Sequence, residues 1–244
     1  MRLILSVTMF SAMLAACGSS PTAPTPVTPP VAVVPPVVTP PVAPPVVTPP
    51  PAPAFPPTDA RFDLAFYRQF VHNALETPNQ LQPLRRQTEA PRIYLRTIDN
   101  AGNAMDAFTL NHTAAALETT TGALTGQFGV AGVERGTETR VSQRGWITVE
   151  WAAEANPKAC GSAAVGGNLI TLYPRTPGCR CAGGPAVSLS TIKHELGHAL
   201  GYWHTDSRLD LMYYLFESCD ANPSEREKFH AAIAYSRPIG SAAP

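Results

Sequence analysis

Charge is almost missing from the first quarter of this chain. Between Met1 and Pro57 only Arg2 carries any, while 17 of the 27 prolines fall there, mixed with Val, Thr and Ala. Such a stretch cannot bury a core, because proline fixes φ, removes a donor and favours extended polyproline II. Cysteine is missing from residues 18–159 and histidine from residues 113–193. A clustered run of Lys or Arg is missing too, and the 18 basic residues balance 18 acidic ones. Phosphate neutralisation needs concentrated positive charge, so nucleic acid is not an expected partner. Long apolar runs are also lacking. The one at Leu3–Phe10 is too short to span a bilayer.

What is present divides the 244 residues in three. Arg2, the apolar run and the small residues after it form an export signal over residues 1–16. Leu14-Ala15-Ala16-Cys17 resembles the lipobox of bacterial lipoproteins, in which Cys17 would become the lipidated N-terminus; a plain signal peptide is the alternative. The acyl chains of such a Cys anchor a protein to a membrane. Gly18 is not the Asp that resembles an inner-membrane retention signal, so the expected place is the outer membrane of a bacterial envelope, facing the periplasm or the exterior. Residues 17–57 read as a lipidated tether, with repeats such as Val37-Val38-Thr39-Pro40-Pro41 and Val46-Val47-Thr48-Pro49-Pro50. At about 3.1 Å per residue, the part after Ser20 would reach roughly 115 Å fully extended.

Residues 58–244 have the composition of one globular domain. Thr58 or Asp59 is placed to cap a first helix bearing Phe62, Phe66 and Phe70 on one side. Strands are expected over Pro91–Ile98, Trp146–Trp151 and Asn168–Tyr173. A second helix is expected from Asp106 to about Thr120, and the glycine-rich stretch near 122–136 is ambiguous, with a strand and a long loop as one reading. A third helix follows Gly183-Gly184-Pro185. A last one starts at Asn222-Pro223-Ser224-Glu225, with Ser224 and Glu227 as a possible capping box, and would bury Phe229, Ala232 and Ile233. Interleaved strands and helices with a helical end indicate an α/β or α+β class. Cys160, Cys179, Cys181 and Cys219 suit two disulfides in an oxidising compartment. Cys179 with Cys181 is the least favourable pairing at such short separation; one bridge to Cys160 and one to Cys219 is expected, with the partner of each left open.

The chemistry lies in His194-Glu195-Leu196-Gly197-His198-Ala199-Leu200-Gly201-Tyr202-Trp203-His204. On a helix, i and i+4 share a face, so His194 and His198 converge on one point with Glu195 beside them. Gly201 permits a sharp turn that returns His204 as a third ligand. Three neutral imidazoles leave a coordination position open, which marks a catalytic zinc site.

These eleven residues resemble the zinc signature of the metzincin metallopeptidases, and Leu211-Met212-Tyr213 resembles the Met-turn beneath the metal, with Met212 the turn methionine. Spacing and triplet look most like the matrixin branch. Tyr214, two after Met212, departs from the proline usual there and resembles the tyrosine of astacins and serralysins, which gives it an oxyanion or pocket role. The matrixin cysteine switch has no counterpart, nor do the ligands of a second, structural zinc. No clustered Asp loop argues for calcium, so Ca²⁺ is unsupported.

The resemblance implies an α+β, metzincin-like domain, acting as a monomer. It implies a zinc endopeptidase using one catalytic Zn²⁺, in which Glu195 is general base toward a metal-activated water. Substrate would lie along an edge strand within Cys160–Gly166, and Leu211–Phe216 would line an apolar specificity pocket. A non-catalytic zinc-containing binding or adhesion module and a peptidase of cell-wall peptides are the alternatives. His72, His112 and His230 read as ordinary surface or helix residues.

Overall fold

The computed structural model describes Phe55, residues 57–215 and residues 218–244. The export signal, Cys17, most of the tether and Phe216 lie outside the described residues. Among the described residues no helix is long and apolar enough to cross a membrane.

In chain order the elements are α1 (Leu64–His72), β1 (Arg92–Asp99), α2 (Ala107–Thr125), β2 (Gly132–Gly136), β3 (Trp146–Trp151), β4 (Gly161–Ala163), β5 (Leu169–Leu172), α3 (Leu189–Leu200) and α4 (Glu225–Ser236). The strands form one sheet ordered β2-β1-β3-β5-β4. All neighbours are parallel except β4, which runs antiparallel to β5 at the edge. Ile93, Leu95, Ile147, Val149, Ile170 and Leu172, from the central strands, are fully buried. They stand at alternate positions along each strand and so share one face of the sheet. α2 packs on α3 and α4, and α3 also lies along β4 and β5, which brings the motif helix to the sheet edge. The expected α+β class is met, with a mixed five-stranded sheet.

Local chemistry explains where the elements depart from expectation. α1 starts at Leu64 because Asp63 accepts the N–H of Phe66; Asp59 instead pairs with Arg61. α2 runs five residues past Thr120, to an αL cap at Gly126. The stretch read as ambiguous resolves into that helix end, a loop and β2. Ser224 and Glu227 do form the capping box of α4. That helix, however, buries Glu227, His230, Ala231, Ala234 and Tyr235, while Phe229, Ala232 and Ile233 are half-buried. Glu227 turns inward because its carboxylate has backbone donors there, and this rotates the buried face. His72 and His230 are helix residues, one of the two expected settings, and both are buried. His72 Nδ1 lies 2.7 Å from the carbonyl of Gln82, and the N–H of Asp63 donates to His230 Nε2. His112 is exposed, as expected.

Two disulfides form, Cys160–Cys179 and Cys181–Cys219. The first ties the start of β4 to the loop before α3. The carbonyl of Cys179 accepts the N–H of Ser188, the N-cap of α3. The second holds the segment after the Met-turn, and the carbonyl of Cys219 accepts the N–H of Ser190.

Candidate metal centre

Ser188 opens α3 by accepting the N–H of Thr191, and the helix carries His194, Glu195 and His198 before ending at Gly201. Gly201 has φ +114°, and a Cβ there would run into the carbonyl of Arg85, so conformation and space both demand glycine. The turn brings His204 back over the helix. Ring centroids lie 4.8 Å apart for His194 and His198, 5.2 Å for His194 and His204, and 4.7 Å for His198 and His204. One ligand nitrogen from each lies within 4.8 Å of the others, and among the described residues these three form the group able to hold a metal.

The outer nitrogens decide what the inner ones are. His194 Nδ1 is 2.8 Å from the carbonyl of Leu211, and His198 Nδ1 is 2.8 Å from that of Tyr202. His204 Nδ1 meets a carboxylate oxygen of Glu76. All three partners only accept, so Nδ1 carries the proton in each ring and the Nε2 lone pairs turn inward. The Nε2 atoms of His198 and His204 stand 3.2 Å apart. Two lone pairs at that distance repel unless a cation lies between them. Tetrahedral zinc with bonds of 2.0–2.1 Å puts its nitrogens about 3.3–3.4 Å apart, so the donor set fits zinc. Burial also keeps the His194 and His198 rings neutral. It pushes His194 down to about 4, and His198 falls well below the usual imidazole range through burial and its two neighbouring histidines.

Glu195 lies on the sheet side of the histidines. Its side chain rests on Gly161 of β4, and its Oε2 is buried without a hydrogen-bond partner. Burial raises its pKa to about 8. An acceptor left unsatisfied in this way is costly in an idle protein and suits a group that handles protons.

Met212 is fully buried beneath the ligand helix, where a Cβ on Gly197 would collide with its sulfur. The Met-turn is fastened on two sides. Glu227 accepts the N–H groups of Leu211 and Met212 at 2.9 and 2.8 Å, and the carbonyl of Met212 accepts the N–H of Thr205 at 2.8 Å. One peptide unit, Leu211–Met212, thus bonds His194 through its C=O and Glu227 through its N–H.

A cavity of about 630 Å³ opens before the histidines. Gly161, Ser162 and Ala163 of β4 line it on one side and Leu211, Tyr213 and Tyr214 on the other, with Leu215 also in the wall. Tyr214 is half-exposed at this cavity. The apolar lining expected from Leu211 onward is only part of the picture, because Lys158, Arg208 and Asp210 border the cavity too. Behind one wall Lys193, buried on α3, donates to Asp220 at 2.5 Å and Asn222 at 2.8 Å.

Sequence reasoning missed Glu76, Lys193 and the second role of Glu227. Glu76 is 128 positions from His204 and carries no local signal. Glu227 was legible only as a capping residue.

This geometry belongs to the class of three-histidine metal centres with a carboxylate beside the open side. Residues 181–233, less than a quarter of the chain, match the family model described as Astacin (Peptidase family M12A). The match spans the three histidines, Met212, Tyr214 and most of α4. No curated protein matches the chain. The family match and the three-histidine group together support a zinc metallopeptidase.

Proposed function

We propose that this chain is a zinc endopeptidase, displayed on a bacterial envelope by lipidated Cys17, with His194, His198 and His204 holding one catalytic zinc. The observation that carries the reading is the buried, unpartnered Oε2 of Glu195 beside three convergent imidazoles. Zinc held there supplies Lewis-acid chemistry, polarising a carbonyl and acidifying a water.

The chain's own residues do the rest. The outer edge of β4 pairs with no strand among the described residues, and Gly161–Ala163 line the cavity. An extended peptide adds there as a further strand, its main chain bonding to that of β4. Glu195 accepts a proton from water as the oxygen bonds to the peptide carbonyl carbon. It returns that proton to the amine nitrogen as the C–N bond breaks. In this reading Tyr214, which lines the cavity, donates its hydroxyl to the carbonyl oxygen as charge builds there. The Tyr214 placement and the astacin match favour the astacin-like over the matrixin-like pattern for this part of the site.

The test is zinc content and cleavage of a peptide library by the full chain, with Glu195→Gln alongside. One zinc per chain in both, with turnover lost by about 10²–10⁴-fold in the variant, is expected. Stoichiometric zinc without cleavage of any L-peptide would favour a binding module, and cleavage confined to cell-wall peptides would narrow the substrate. A chain without zinc would overturn the reading.

A further inference from the structure

Of the three candidate ligands, His204 lies outside α3, so the helix does not fix its ring. The side chain that meets its outer nitrogen, Glu76, comes from the loop after α1. We infer that Glu76 is a positioning residue for the metal: it accepts the Nδ1–H of His204 and sets the tautomer and plane of the third ligand. The inference rests on the zinc reading of the three histidines.

The loop is built to present this carboxylate. α1 ends on Asn73 in the left-handed conformation, at φ +60°. The N–H and hydroxyl of Thr77 both donate to the Asn73 carbonyl, at 2.9 and 3.1 Å. The hydroxyl also reaches the carbonyl of Gln80, and the Gln82 N–H donates to the carbonyl of His72. Residues 73–80 are thereby closed onto the end of α1, with Glu76 at the turn. That end in turn grips the chain on both sides of His204. The carbonyl of Phe70 accepts the N–H of Trp203 at 2.8 Å, and Gln69 Nε2 donates to Asp206 at 3.2 Å. Phe70 also stacks on Tyr202, centroids 4.1 Å apart and planes 3° from parallel. Carboxylate and imidazole are thus registered by the same contacts.

An exposed ion pair contributes little to folding, and Glu76 is exposed. A carboxylate behind a ligand imidazole is different, because it orients the ring and makes the ligand nitrogen more basic toward the ion. Removing such a partner weakens metal binding by about 10–100-fold.

The experiment uses the full chain as wild type, Glu76→Ala and Glu76→Gln. Zinc affinity is measured by competition with a chelator, the absorption spectrum is recorded with cobalt in place of zinc, and Tm is taken without metal. Expected are a loss of about 10–100-fold in zinc affinity for the Ala variant, a smaller loss for Gln, which keeps an acceptor, and a changed cobalt spectrum for Ala, with one metal-free Tm for all three. Ala binding zinc within twofold of wild type with an unchanged cobalt spectrum would overturn the inference. So would a metal-free Tm that falls in step with the affinity, since Glu76 would then serve the fold. If the wild type binds no zinc, the zinc reading itself fails and takes this inference with it.

Discussion

Gly161 and Glu195 touch so closely that a Cβ on the glycine would stand 2.6 Å from Cγ of the glutamate. The edge strand and the proposed general base are therefore one mechanical unit. Glu195 is held against β4 where a substrate strand would lie, and only hydrogen fits between them. Gly161→Ala should push Glu195 off its position. A displacement of about 1 Å at a reacting group can cost on the order of 10²-fold. Overpacking of this size costs about 1–3 kcal/mol in stability. The expected result is kcat/KM down by about 100-fold with zinc retained, measured by peptide cleavage and metal content. Wild-type turnover in the folded alanine variant would show that Glu195 need not sit there.

Gly197 and Met212 form a second such pair, on the other side of α3. A Cβ on Gly197 would drive into the Met212 sulfur and come within 3.2 Å of its methyl carbon. Gly197→Ala alone should destabilise the domain by about 1–3 kcal/mol. Met212→Ala should cost about 2–5 kcal/mol through the cavity it leaves. Because the two defects are complementary in volume, the double variant should be more stable than the two losses added together. Denaturant unfolding of the four proteins measures the coupling, and strict additivity would show that the contact is loose.

Much of the site was legible because its spacing is local. His194 and His198 are one helical turn apart, and Gly201 fixes where the helix ends. The strand expected over Trp146–Trp151 is β3 residue for residue. Edge strand β4 was placed within Cys160–Gly166 from its position between two stronger strands. What local pattern could not show is everything that depends on a distant partner. Glu76 reaches His204 only once α1 is docked, and Glu227 faces inward only because Leu211 and Met212 offer their N–H groups to it. The buried face of α4 was misplaced for that reason. His72 and His230 were read as ordinary surface or helix residues and do lie in helices, but nothing near them in sequence shows the partners that make their burial tolerable.

The titratable groups buried without metal make the stability of the metal-free chain depend on pH in two opposed ways. Burial lowers the pKa of His72, His194, His198 and His230 in the fold from an ordinary 6.5. Below pH 6.5 the unfolded chain takes up protons that these four do not, so stability falls as pH falls, toward about 4 for His194. Two glutamates act in the opposite sense. Burial raises Glu195 to about 8, and burial with nearby Asp210 raises Glu227 to about 7, from 4.5. Above 4.5 the fold keeps protons that the unfolded chain has lost, so their contribution declines as pH rises to 7 and 8. Between 4.5 and 6.5 the histidines and the two glutamates act against each other; above 6.5 only the decline from the glutamates remains. Denaturant midpoints of the chelated chain should fall between pH 6.5 and 8. Glu195→Gln should remove the part of the decline between 7 and 8, and a midpoint that keeps rising to pH 9 would contradict the assignment.

The two disulfides should separate in kinetics as they do in space. Cys160–Cys179 joins the start of β4, next to Gly161 and so to Glu195, with the loop whose carbonyl caps α3. Cys181–Cys219 holds the segment that leads to Asp220 and Ala221, where Lys193 and Ser190 anchor a wall of the cavity. Replacing either pair by alanine should lower stability by about 2–4 kcal/mol, read from denaturant unfolding. Loss of Cys181–Cys219 loosens the wall while the metal and Glu195 stay in place, so KM should rise more than kcat falls. Loss of Cys160–Cys179 frees the strand against which Glu195 rests, so kcat should fall more than KM rises. Steady-state kinetics on one peptide decides between them. The reverse assignment of the two effects would mean that β4, and not the segment after the Met-turn, governs how tightly the ground-state substrate is held.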